Sequence, residues 1–81
     1  MKIKVLFFAS CRDLVGTGEK EITLDDGATM ADLISEIASE HARFIEMAPS
    51  LMVSANQEYV EREHVLSDGD EVAFIPPVSG G

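Results

Sequence analysis

Eighty-one residues make one small domain, and a hydrophobic share of 46% argues against a disordered chain. Six basic against fifteen acidic residues give a formal charge of −9, which repels phosphate backbones and excludes nucleic acid as the expected partner. No run nears the roughly 18 apolar residues of a membrane span, and the lone Cys11 excludes an internal disulfide and a cysteine-built metal site.

Residues 2–9 alternate. Ile3, Val5 and Phe7 share one face, and Lys2, Lys4, Leu6 and Phe8 the other. This reads as a strand rather than a signal peptide, so the expected compartment is the cytoplasm. Residues 10–16 suit a short helical turn, with Ser10 as its N-cap and Gly16 as its stop. Alternation returns from Glu19 to Leu24, with Ile22 and Leu24 inward, and predicts a second strand paired with the first. Asp25-Asp26-Gly27 is a turn.

The clearest helix opens at Thr29, where Thr29 and Asp32 form a capping-box pattern. Met30, Leu33, Ile34, Ile37 and Ala38 then make one apolar stripe, with Asp32, Glu36 and Glu40 facing away. Residues 41–50 continue as a further turn through Phe44-Ile45, ended by Pro49. Leu51 to Ala55 is a third strand, Asn56-Gln57 a turn, and Tyr59-Val60 a short strand. Ser67-Asp-Gly-Asp70 is a strong turn signal, and Glu71 to Ile75 is the last strand. The pattern predicts an α+β, ubiquitin-like β-grasp fold: a mixed sheet of four or five strands covered on one face by one main helix.

The domain is expected to span residues 1–75, followed by an extended tail over 76–81. Pro76 and Pro77 favour an extended path, and Gly80 and Gly81 carry no side chains. Fully extended, such a tail reaches about 20 Å at roughly 3.3–3.6 Å per residue.

Conventional catalytic constellations are missing from the sequence. Cys11 has no patterned partner in His41 or His64 and reads as a partly buried structural thiol. Both histidines read as surface residues, no metal site is expected, and Glu61 and Glu63 read as solvated. Ser79-Gly80-Gly81 lacks the lysine and following helix of a phosphate loop. The remaining reactive group is the Gly81 carboxylate, which two glycines leave open to attack an activated phosphate. On the sheet, the outward sets Lys2, Lys4, Leu6, Phe8 and Glu71, Ala73, Ile75 both pass from charged to apolar. In parallel neighbours their apolar ends meet at the base of the tail, near Tyr59, and predict a docking patch.

Val5-Leu-Phe-Phe-Ala9, Arg12-Asp-Leu-Val-Gly16 and the run Asp68-Gly-Asp-Glu-Val-Ala-Phe-Ile-Pro-Pro-Val-Ser-Gly-Gly81 together resemble the small subunits of molybdopterin synthases. The resemblance implies a sulfur carrier for molybdenum cofactor biosynthesis, itself a non-catalytic subunit of an enzyme complex. It implies that an ubiquitin-activating-like adenylyltransferase uses ATP to adenylate Gly81, with no cofactor held permanently. A sulfurtransferase then forms the thiocarboxylate. It further implies that Pro76, Pro77, Val78, Ser79 and Gly80 insert into the large subunit, in a heterotetramer of two small and two large subunits. There sulfur passes to cyclic pyranopterin monophosphate to build the dithiolene. Phe8, Tyr59 and Ile75 stand where the family places apolar interface residues. Other readings of a Gly-Gly end on this fold are a ubiquitin-like protein modifier, a sulfur carrier for thiamine or tRNA thiolation, and a plain interaction domain.

Overall fold

The computed structural model describes residues 1–77. The first strand, β1 (Lys2–Phe7), buries Ile3, Val5 and Phe7 and turns its lysines to solvent, as the alternation requires. A sharp turn at Ala9 leads into helix α1 (Ser10–Val15), which Gly16 closes in the left-handed conformation with φ 88°. There its N–H donates to the Arg12 carbonyl. Ser10 does not cap this helix: Ala9 holds the cap position and no side chain bonds there. The expectation failed because the chain reverses one residue early.

Strand β2 (Glu19–Thr23) returns antiparallel to β1, pairing Ile22 with Ile3 and Lys20 with Val5. Helix α2 (Met30–Glu40) starts in a complete capping box. The Thr29 N–H donates to Asp32 Oδ2 at 2.8 Å, and the Asp32 N–H donates to Thr29 Oγ1 at 3.3 Å. Its buried stripe is Met30, Leu33, Ile34 and Ile37. The short helix α3 (Phe44–Met47) and a 3-10 turn (Ala48–Ser50) follow. Pro49 lies inside that turn rather than ending it, because a first-turn position needs no N–H.

Strands β3 (Met52–Ala55), β4 (Glu58–Tyr59) and β5 (Glu71–Ile75) complete a five-stranded sheet of order β2-β1-β5-β3-β4. β5 runs parallel to β1 and antiparallel to β3, as a β-grasp demands. The β3–β4 hairpin turns through Asn56 and Gln57, at φ 53° and 71°, the two positive angles of a primed two-residue turn.

The core lies between the helices and one sheet face. Its centre is an aromatic trio: Phe7 stacks on Phe74 at 5.9 Å, and Phe44 meets both edge-on at 6.2 and 5.2 Å. The 41–50 segment is therefore committed to the core face and leaves the other sheet face open.

Candidate docking face

The open face is graded from charged to apolar. At one end Lys4 lies beside Glu71 in the strand register and opposite Glu21. Lys4 Nζ stands 3.4 Å from Glu19 and 3.8 Å from Glu71, and Lys2 Nζ 3.9 Å from Glu21. These exposed pairs add little stability. In the next row Leu6 lies beside Ala73, Ala73 opposite Ser54, and Ser54 opposite Tyr59. Farthest along, Met52 lies opposite Ile75. Phe8 continues β1, its N–H donating to the Phe74 carbonyl at 3.2 Å.

Phe8, Tyr59 and Ile75, the three interface residues expected from sequence, line one shallow depression with Leu6, Gln57 and Ala73. Phe8 is 46% exposed and Tyr59 67% exposed, so large apolar side chains stand in water on a face without a covering element among the described residues. Met52, 47% exposed, extends the same face and was missed by sequence reasoning. The signal was available: Val53 and Ala55 point inward, so alternation turns Met52 outward beside the apolar end of β5.

The turn before β5 sets its register. The Lys2 N–H donates to Asp68 Oδ1 at 2.7 Å, and the Ser67 N–H to Asp70 Oδ2 at 2.8 Å. The Asn56 amide donates to Asp70 Oδ1 at 2.9 Å and accepts from the Glu71 N–H at 3.0 Å. Gly69, at φ 84°, makes the reversal. A one-residue slip here would turn Ile75 into the core and Phe74 into solvent.

Other residues singled out from sequence lie elsewhere. Cys11 is wholly buried rather than partly so, its thiol donating to Met47 Sδ at 3.8 Å, and burial pushes its pKa up. His41 and His64 are half-buried rather than at the surface, His41 as the C-cap of α2. Pro76 is half-buried and Pro77 exposed, directly after Ile75. Val78, Ser79, Gly80 and Gly81 lie outside the described residues. No helix among the described residues is long and apolar enough to cross a membrane.

The family model described as the ThiS family matches residues 5–81. The chain belongs to the ThiS family. Within it, the chain is 43% identical over 83 residues to the molybdopterin synthase sulfur carrier subunit of Chlamydomonas reinhardtii, covering 100% of both chains. It is 44% identical over 81 residues to that of Escherichia coli strain K12, covering 98% of this chain and 99% of the relative. A candidate molybdopterin converting factor subunit 1 from Pyrococcus furiosus superposes with a TM-score of 0.87 at 38% identity, covering 96% of this chain and 99% of that one. The match thus spans nearly the whole of both named sulfur carrier subunits, and the β-grasp sheet is shared with the Pyrococcus furiosus structure. What the fold adds to that kinship is a graded face whose apolar end is the last residue of β5.

Proposed function

We propose that this chain works as the sulfur carrier subunit of a molybdopterin synthase, with Gly81 as the carrying group. The observation that carries the reading is the position of Ile75. It ends β5 inside the apolar end of the open face, so the segment from Pro76 onward departs from a docking surface formed with Phe8 and Tyr59. A partner that covers that surface receives the tail at a fixed place. Met52 and Leu6 enlarge the contact, and the Lys4–Glu71 end supplies polar orientation.

The chemistry proposed for the tail is acyl activation. The Gly81 carboxylate attacks the α-phosphate of ATP in the site of an ubiquitin-activating-like adenylyltransferase, expelling pyrophosphate. A persulfide-type donor on a sulfurtransferase then displaces AMP to give an acyl disulfide. A second thiol attacks its donor-side sulfur, releasing the Gly81 thiocarboxylate and leaving a disulfide on the donor. In the large subunit that sulfur passes to cyclic pyranopterin monophosphate, and water restores the carboxylate. Pro76 and Pro77 keep the path extended, while Val78, Ser79 and Gly80 form the inserted stretch. Two small subunits and two large subunits form the working assembly. The chain's −9 charge favours partner surfaces rich in lysine and arginine.

Intact-mass spectrometry tests this reading. After incubation with ATP, an activating enzyme of this type and a sulfur donor, the chain should gain the mass of one oxygen exchanged for sulfur. A chain lacking Gly81 should not. An unchanged mass of the full chain, with a control carrier converted in the same mixture, would overturn the assignment of Gly81.

A further inference from the structure

The sheet has two edges, and they are not equivalent. β4 is two residues long, whereas β2 offers five residues with nothing beyond it in the strand order. Hydrogen bonds join Met1 to Leu24 and Phe7 to Gly18. In an antiparallel ladder this phase turns the N–H and C=O of Glu19, Glu21 and Thr23 away from β1. Thr17 Oγ1 donates to the Glu19 carbonyl at 3.0 Å and accepts from the Glu19 N–H at 3.4 Å. The outward groups of Glu21 and Thr23 have no such partner among the described residues. An open, unprotected edge is a template for another strand.

Beside that edge, on the helix side of the sheet, runs a groove of about 260 Å³ between β2 and α2. Its floor is apolar, with the half-buried Val15 and Ile22 in reach of solvent above the buried Phe7 and Ile37. Its rim is acidic on balance: Glu36 and Glu40 of α2 share it with Lys20 of β2 and His41. Lys20 Nζ is held by Glu40 at 2.7 Å, which leaves Glu36 without a side-chain partner among the described residues. No residue of the groove belongs to the docking depression on the opposite face.

We infer that the β2 edge and the β2–α2 groove take up an extended segment of a partner protein as a sixth strand, apolar at alternate positions and flanked by lysine or arginine. The free main-chain groups of Glu21 and Thr23 supply the ladder. Alternate side chains of the added strand turn towards Ile22 and Ile37, because successive residues of a strand point to opposite faces. The basic flanks answer Glu36 and Glu40, an attraction that a partner of like charge lacks. The groove and the apolar depression can then be occupied at once, so this partner is distinct from the one covering Phe8 and Tyr59.

The test is a titration of the ¹⁵N-labelled full chain with a synthetic peptide, Lys-Arg-Val-Thr-Ile-Thr-Val-Arg-Lys, at low salt. The comparison peptide carries glutamate at every basic position. The basic peptide should shift and protect the amides of Glu21 and Thr23, leave Tyr59 unmoved, and bind about tenfold more tightly than the acidic one. Thr23→Pro removes an outward N–H that bonds nothing among the described residues and should abolish binding. Glu36→Lys, at an exposed helix position without a side-chain partner, should weaken binding about tenfold while leaving the melting temperature unchanged. Equal binding of both peptides, no binding of either, or shifts confined to Phe8, Tyr59 and Ile75 would overturn the inference. So would a peptide-free dimer that Thr23→Pro dissolves, since the edge would then serve a second copy of this chain.

Discussion

Phe7 and Phe8 are chain neighbours on opposite sides of one sheet. Phe7 is 2% exposed and stacks on Phe74 at 5.9 Å, while Phe8, 46% exposed, stands on the open face with Ile75. Two identical side chains thus separate the roles of holding the fold and presenting a surface. Phe7→Ala should lower stability by about 3–5 kcal/mol, measured by urea denaturation. Phe8→Asp should change stability by about 1 kcal/mol or less. The same variant should weaken large-subunit binding about tenfold or more, measured by calorimetry. Equal losses of stability in the two variants would make Phe8 a core residue.

Ala9 makes the reversal between β1 and α1 at φ 49° and ψ −123°, a region that a Cβ disfavours. Ala9→Gly should raise stability by about 1 kcal/mol, and Ala9→Val should lower it. Urea midpoints with an unchanged slope report both.

Lys20 holds Glu40 at 2.7 Å, bridging β2 to the last turn of α2. The hydrogen bond and the charge of Lys20 draw the Glu40 pKa below its ordinary value. A carboxylate lowered in the folded state stabilises above its unfolded pKa and loses that contribution as pH falls through the folded one. Carboxyl NMR titration should find the Glu40 midpoint below the ordinary glutamate value, and Lys20→Met should raise it. A midpoint unmoved by Lys20→Met would break the link. Because the pair is exposed, its effect on the melting temperature is small.

Cys11 is buried against Met47, and burial raises its thiol pKa. The reactive thiolate is thus depleted at neutral pH and shielded from reagents. Iodoacetamide should leave the native chain unmodified and alkylate it after denaturation. Sulfur transfer should survive Cys11→Ala, since no step of the proposed chemistry uses the thiol. Rapid alkylation of the native chain would contradict this placement.

The parts of the fold legible in the sequence are those where local chemistry and tertiary demand agree. Ile3, Val5 and Phe7 alternate because one face of β1 is buried, and Thr29 with Asp32 caps α2 through bonds made within one turn. Phe8 and Ile75 were brought together, with Tyr59 near them, by assuming the parallel pairing of the first and last strands, which the register bears out. Legibility failed where a long-range packing choice overrides a local preference. Ser10 is a good cap by type, yet the chain turns at Ala9 to place Cys11 in the core. Pro49 signals a stop by type, yet the chain continues through it so that Phe44 and Ala48 can both be buried. Met52 escaped notice because no side was assigned to the residues of its strand, although alternation with Val53 and Ala55 turns it outward beside its register partner Ile75.

β5 is the last strand of the chain and the middle strand of the sheet. Its neighbours β1 and β3 have no contact in the ladder until it arrives between them. A ribosome that has made every residue up to Asp70 has therefore made three helices and two separate hairpins, but no joined sheet. Closure of the sheet waits for β5, and its long-range pairing makes it slow relative to local structure. A chain lacking β5 has nothing to join β1 to β3, so the open face and the sheet that carries it appear together or not at all.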